Sequence, residues 1–369
     1  MPALRPGSID EAAESLRALG GAGTPVRPVG SGSRAGWGGG ATGTELHTTG
    51  LNRILEHNPG DFTAVLECGV PLADAQKVFA SAGQWLALDP SPGGTIGGLV
   101  ATADSGPARH RYGGVRDLVI GVTLVLSDGT VARSGGKVIK NVAGYDLGKL
   151  FTGSFGTLGL VAEVAVRLHP LPSGTATAVA TFTDPSALAE AASGLSRRPL
   201  EALSLDAAWR AGTGRLLVRF GGVTATSQAS RVASGLAGGP EVAVVEDDEP
   251  LWEAQRSAQR SPSGAVLKVS HRPTELAAVV RAADAVGATV VSRAALGLSW
   301  LAFPDADPDT VATVREQLAP AAVTVLDGGD RVSAPWPDLD AGVVAVQQRV
   351  KARFDPARIF RPGTFVGGL

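Results

Sequence analysis

Cysteine is nearly absent: Cys68 is the single thiol in 369 residues. An internal disulfide and a cysteine-ligated metal cluster are therefore excluded, and a lone thiol of this kind reads as a small apolar core residue. Net charge of one sign is also missing. Lys and Arg total 33 against 35 Asp and Glu, a formal charge of -2, so no basic field is available to attract nucleic acid. No apolar run reaches the roughly eighteen residues needed to cross a bilayer. The start, MPALRPGSIDEAAESLRALGG, carries no apolar stretch of signal-peptide length, so a cytoplasmic location is expected, peripheral to the inner membrane at most through partners. Lysine is scarce, six against 27 arginines, a bias that reads with the abundant Ala, Gly and Val as genomic background.

What is present describes a globular protein, with 44% hydrophobic and 18% charged residues and enough chain for two cores. Glycine is uneven, with 31 of 49 in residues 1–170, so the two halves are built differently. Ser8 and Glu11 form a capping-box pattern that opens a helix closed by Gly20, and PVRPV at Pro25–Val29 reads as a strand. FTAVLEC reads as a strand and PLADAQKVFASAG as an amphipathic helix. LVIGVTLVLSDGTVARSGG reads as a hairpin whose Asp128-Gly129 pair supplies positive φ values for a tight turn. Beyond Pro172 the order becomes strand 176–183, helix 185–194, strands 200–207 and 215–221, helix 224–236 and strand 241–245. After a helix near 249–259 it recurs as strand 265–270, helix 273–286, strands 288–292 and 298–303, helix 308–318 and strand 321–326. Two βαββαβ runs predict an antiparallel sheet with helices on one face, as in ferredoxin-like arrangements. A break at Ala334-Pro335-Trp336-Pro337 precedes a last helix through AVQQRVKARF and the tail DPARIFRPGTF.

Three glycine loops carry the chemistry. Gly30-Ser31-Gly32-Ser33-Arg34-Ala35 follows a strand and fits the G-x-G-x-x-(G/A) pattern. A Rossmann loop opens directly into a helix, whereas GWGGGATG here breaks one. What survives is backbone N–H groups free to converge on a diphosphate; a flexible surface turn is the competing reading for this loop alone. Pro92-Gly93-Gly94-Thr95-Ile96-Gly97-Gly98 again sets flexible backbone at a helix start. Gly153-Ser154-Phe155-Gly156-Thr157-Leu158-Gly159-Leu160, running into VAEVAVRL, lets a flat ring or adenine lie against the main chain. A large, partly aromatic cofactor suits all three.

These loops, with GGKVIKNVAGYDLGKLFTGSFGTLGLVAEV at Gly135–Val164, PGGTIGGLVATADSGPARHRYGGVRDLVIG and the terminal FDPARIFRPG, resemble the flavoprotein family named for vanillyl-alcohol oxidase and para-cresol methylhydroxylase (PCMH). Within it the chain is similar to FAD-binding subunits of glycolate oxidases over nearly its full length. The resemblance implies an α+β fold: a two-subdomain PCMH-type FAD-binding domain at 1–172, an antiparallel-sheet cap domain of ferredoxin-like βαββαβ units at 173–334, and a helix and tail at 335–369 returning to the FAD domain. It implies that Val29, Gly30, Ser31, Gly32 and Ser33 bind the FAD diphosphate. Pro92, Gly93, Gly94, Thr95, Ile96, Gly97 and Gly98, with Ser105 and Gly106, would line the pyrophosphate and flavin, and Gly156, Thr157, Leu158, Gly159, Leu160 and Val161 the other side. Arg111, Tyr112, Gly113 and Asp117 match an RYG...D element and Tyr145 and Asp146 a GYD element; a structural role competes for these polar residues. Lys137, Lys140 and Lys149 crowd one window, as an ammonium requirement or a solvated face.

Covalent members attach the flavin through a histidine just after the first loop or a cysteine at the second. This chain has Ser33-Arg34-Ala35 and Ser91-Pro92 there, so FAD is expected to be non-covalent. The tail reads Arg361-Pro362-Gly363 where relatives have Asn-Pro-Gly, which leaves its contact with the flavin domain open. Oxidising a 2-hydroxy acid requires a base and cations, which active relatives supply partly from a GEHG motif. That motif is absent, and His47, His57, His110, His169 and His271 are scattered. His271 is the candidate cap-domain base; His110 is a candidate flavin neighbour or a loop cap. The expected role is a FAD-bearing accessory subunit, docked on a catalytic flavoprotein subunit and passing electrons towards an iron–sulfur subunit in oxidation of a small 2-hydroxy acid. A self-sufficient FAD-dependent dehydrogenase, with a site built from His271, Arg109 or the lysine window, and a scaffold without redox function are the alternatives.

Overall fold

The computed structural model describes residues 3–137, 144–236, 241–261, 263–304, 307–332 and 334–369. In the first half, five strands pair antiparallel in the spatial order Ile54–Asn58, Thr63–Glu67, Leu160–Arg167, Val119–Val125 and Val131–Gly135. The central strand Leu160–Arg167 is buried on both faces, and one irregularity decides which side chain goes where. Glu163 pairs with Thr123 while Val161 pairs with Leu124, so Ala162 bulges out of register. A bulge reverses the alternation of side chains. Val161, Val164 and Val166 thus share a core with Leu99, Leu124 and Phe151, whereas Leu160 and Ala162 face Ala12, Leu16 and Phe360 on the other side.

The helix Ile9–Gly21 covers that second face through Ala12, Ala13, Leu16 and Leu19. Ser8 caps it by accepting from the Glu11 N–H at 3.2 Å, but the Glu11 carboxylate turns to the Gly7 N–H, one residue before the reciprocal partner of a full capping box. The hairpin forms as expected with a different turn. Only Gly129 has positive φ, and the Leu126 and Thr130 backbones close a loop in which the Asp128 carboxylate accepts from the Thr130 N–H at 2.8 Å. A two-residue type I′ connection needs positive φ at both central residues; this longer loop needs one left-handed glycine.

The second half holds one eight-stranded antiparallel sheet: Glu241–Val245, Thr175–Phe182, Thr213–Gly221, Ser204–Arg210, Thr289–Arg293, Leu298–Phe303, Ala265–Ser270 and Ala322–Val325. Each βαββαβ run contributes four strands, and the runs join edge to edge where Asp206 faces Arg293 and Trp209 faces Val290. Every element expected here is present, with ends moved by a few residues. Helices Pro185–Ser196, Ala225–Leu236, Leu276–Ala285 and Pro308–Gln317 cover one face through a single core including Leu188, Val232, Val279 and Val314. Alternation sends the other side chains of the same strands to the opposite face. There Val266, Val291, Trp300 and Leu326 meet Trp37 of the first half, and the Trp252 indole donates to the Thr177 hydroxyl at 2.8 Å. The chain then returns through the helix Ala341–Phe354. Its Phe354 ring stacks edge-on against Phe151, and the following Ile359 and Phe360 are fully buried beside Val26.

Candidate functional site

The strand Val26–Val29 pairs in parallel with Thr44–His47 and delivers the chain into a run of turns from Gly30 onward, with no helix following. Among the described residues, the backbone N–H groups of Ser31, Gly32 and Ser33 make no hydrogen bond. The second loop ends at Thr95, whose hydroxyl caps the helix Ile96–Thr102 by accepting from the Gly98 N–H at 3.3 Å. Loops one and two touch: a Cβ on Gly30 would lie 2.3 Å from the Thr95 hydroxyl, and one on Gly97 would lie 2.6 Å from the Cys68 Cβ. The third loop turns through Phe155 and Gly156, both at positive φ, into the strand that begins at Leu160.

One cleft results, with about 800 Å³ of atom-free space partly open to solvent. From the sequence-derived set it is walled by Val29, Gly30, Ser31, Gly32, Ser33, Gly94, Thr95, Gly97, Gly98, Gly156, Gly159, Leu160 and Val161. The others stand outside its walls. Ile96 and Leu158 are buried in the apolar core, Pro92 and Gly93 are exposed, and the Thr157 carbonyl accepts from the buried Lys351 ammonium at 2.7 Å. Ser105 is buried beside Arg109, and Gly106 packs so closely that a Cβ would lie 1.6 Å from the Asp89 carbonyl oxygen. Arg111 is exposed, while Tyr112 packs between Trp85 and His169. Asp117 accepts from the Gly114 N–H, and its carboxylate fills the space a Cβ on Gly113 would need. Tyr145 is 91% exposed, and Asp146 caps the helix Leu147–Phe151 and pairs with Lys149. Lys137 pairs with Glu56 at the surface, and Lys140 lies outside the described residues, as does the rest of the stretch 138–143.

The side chain that ties this site together went unread in the sequence. Arg34 is buried and forms an ion pair with Asp104 at 2.6 Å. Its other donors reach the Ser33 hydroxyl at 2.8 Å, the Gly93 carbonyl at 2.9 Å and the Ser91 carbonyl at 2.9 Å. One guanidinium thus staples the first loop to the second. Arg361 of the tail also borders the cleft, donating to the Trp37 carbonyl at 3.2 Å, and makes no ion pair among the described residues. Burial, with the nearby Arg27 second, pulls its pKa down to about 10, so it remains a cation at neutral pH.

A family model described as an FAD binding domain matches residues 2–135. Glycolate oxidase subunit GlcE of Escherichia coli K12 is 30% identical over 94% of this chain and 94% of its own length. The chain belongs to the FAD-binding oxidoreductase family. Glycolate oxidase subunit GlcD of Bacillus subtilis is 37% identical over 52% of this chain, which spans 41% of that longer relative. In three dimensions, an alkyldihydroxyacetonephosphate synthase superposes with a TM-score of 0.71, covering 97% of this chain and 76% of its own at 15% identity, which shows the shared fold.

The cleft suits the family's cofactor. Free N–H donors at Ser31–Ser33, the Arg361 guanidinium at the cleft and closely approached glycines fit a diphosphate. The Arg27 Nε is buried without a partner, another donor awaiting an acceptor. The described histidines do not gather at this cleft. His271 bonds Ser299 and the Arg272 carbonyl at a surface depression, and His57 contacts Gln84 and Phe79. Burial lowers the pKa of His110, whose Nδ1 has no partner, and takes His169 to about 4. Among the described residues no group of His, Cys, Asp and Glu could hold a metal, and no helix is long and apolar enough to cross a membrane.

Proposed function

We propose that the chain holds FAD non-covalently and serves as the flavin-bearing subunit of a 2-hydroxyacid oxidoreductase complex of the glycolate oxidase type. The observation that carries this is the convergence of three glycine loops on one cleft bordered by Arg27, Arg34 and Arg361. Residues 1–172 would form the FAD domain, 173–334 the cap, and 335–369 the returning tail that brings Arg361 to the cofactor. Ser31–Ser33 and Arg361 would hold the diphosphate, with Arg34 fixing the first two loops around it and Gly94–Gly98 and Gly156–Val161 packing against the remainder. Bound FAD supplies a two-electron acceptor for oxidation of the substrate alcohol.

The side chains present support non-covalent binding. Cys68 is the one thiol at the cleft, and burial pushes its pKa to about 12, so it stays a neutral thiol and a poor nucleophile. The similarity to GlcE over 94% of both chains and the position of His271 away from the cleft support an accessory role. The partners would be a catalytic flavoprotein subunit and an iron–sulfur subunit, in the cytoplasm or at the inner membrane through those partners. The FAD-loaded chain, mixed anaerobically with glycolate or D-lactate, is expected to keep its visible flavin absorption. Adding the sister subunit is expected to bleach it. Rapid bleaching of the chain alone contradicts the accessory role and favours a self-sufficient dehydrogenase.

A further inference from the structure

The strand Val131–Gly135 forms one edge of the five-stranded sheet and pairs on one side only, with Val119–Val125. At one end of that ladder the Leu126 N–H donates to the Thr130 carbonyl at 3.0 Å, and at the other the Gly136 N–H donates to the Ile120 carbonyl at 3.2 Å. Inward-bonded residues alternate with outward-facing ones in an antiparallel pair. Ala132 and Ser134 therefore bond inward, and the N–H and C=O groups of Val131 and Arg133 point away from the sheet. Among the described residues nothing pairs with those outward groups. Two other edges of the molecule are protected, as exposed edges generally must be. The strand at the opposite margin, Ile54–Asn58, is broken by a bulge between Ile54 and Glu56, and in the edge strand Ala322–Val325 the Val325 N–H donates to the Pro335 carbonyl at 2.7 Å. Val131–Gly135 is regular in register, and its outward backbone is unpaired.

Beside this edge lies an open groove with about 2000 Å³ of atom-free space. Ala132, Leu147, Leu150 and Phe354 give it an apolar floor, and Tyr145, 91% exposed, stands at its margin. Arg133 and Arg353 also border it, and neither forms an ion pair among the described residues. Its two carboxylates are already engaged, Asp128 with the Thr130 N–H at 2.8 Å and Asp146 with Lys149 at 2.8 Å. We propose that this edge is a docking site for an extended, acidic segment of a partner protein, which adds a sixth strand to the sheet. Backbone pairing with Val131 and Arg133 holds the segment. Alternation sends its apolar side chains over the groove floor and its carboxylates to the opposite face, beside the Arg133 guanidinium. A second copy of this chain fits less well. Antiparallel pairing of the full strand with itself sets Arg133 directly opposite its own symmetry mate, and like charges so placed repel. That the partner is the catalytic flavoprotein subunit rests on the functional reading above; the strand edge itself does not.

The test is hydrogen exchange on the FAD-loaded full chain, alone and with the catalytic flavoprotein sister subunit, with binding followed by calorimetry. Fast exchange at the Val131 and Arg133 amides is expected in the chain alone, and protection of both in the complex. Arg133→Glu is expected to weaken the complex at least about tenfold by reversing the charge. Arg133→Pro is expected to weaken it as much by removing an outward N–H that the sheet's own ladder does not use. FAD content and melting temperature show whether each variant is folded; should the proline variant unfold, Arg133→Glu decides. A complex without protection of this strand, or one unweakened in folded Arg133→Glu, overturns the proposal. So does the absence of a complex, or concentration-dependent protection in the chain alone, which assigns the edge to a second copy. Bleaching of the isolated chain by glycolate sinks the accessory role instead and leaves the exchange data to decide this site.

Discussion

Arg34→Met removes the residue that joins two of the three cofactor loops. The Arg34 and Asp104 side chains are 4% and 3% exposed, so the variant strands a carboxylate away from water with only the Ser91 hydroxyl, at 3.5 Å, for company. Breaking a buried pair by deleting one member costs about 3–5 kcal/mol, because the remaining charge keeps its desolvation penalty without its attraction. Two loop carbonyls, of Ser91 and Gly93, also lose their donor. Urea unfolding of the FAD-free chain is expected to show a loss of this size, and flavin-fluorescence titration at least about a tenfold weaker FAD affinity. Arg34→Met/Asp104→Asn is expected to regain a large part of the stability, since the amide carries no charge, but not the affinity, since the loops remain unstapled. A loss below about 1 kcal/mol with FAD affinity unchanged refutes the claim that this pair builds the site.

Other perturbations probe the cofactor cradle and the buried charges. Gly30→Ala puts a methyl 2.3 Å from the Thr95 hydroxyl and is expected to weaken FAD at least about tenfold by equilibrium dialysis, with the melting temperature less affected. Arg361→Met is expected to weaken FAD about tenfold and to flatten the salt dependence of binding, measured at low and high ionic strength. Burial raises the Asp89 pKa from 3.8 to about 7, so its folded pKa lies above its unfolded value. Its neutral form favours folding, and that contribution falls away as pH rises from about 4 towards 7. Asp89→Asn is accordingly expected to be more stable than the parent at pH 8, by as much as roughly 4 kcal/mol, with the difference gone near pH 4 by urea midpoints.

The sequence made some of this legible for physical reasons. Local periodicity announced the doubled βαββαβ order of the cap, because strands and helices that each bury one face must alternate their side chains accordingly. Glycine spacing announced the three loops, since only backbone freedom and close approach explain such runs. Long-range electrostatics left no local trace: Arg34 finds Asp104 seventy positions away, and Arg361 reaches Trp37 from the far end of the chain. The RYG and GYD elements show the opposite case, since Tyr112 and Asp146 sit in well-defined structural contacts outside the cleft.

The central claim, a dissociable FAD in the three-loop cleft, is tested by the absorbance of the purified, FAD-supplied chain before and after acid precipitation. A yellow protein with one FAD per chain and all flavin in the supernatant after precipitation is expected. A colourless protein, or flavin that stays with the precipitate, contradicts it.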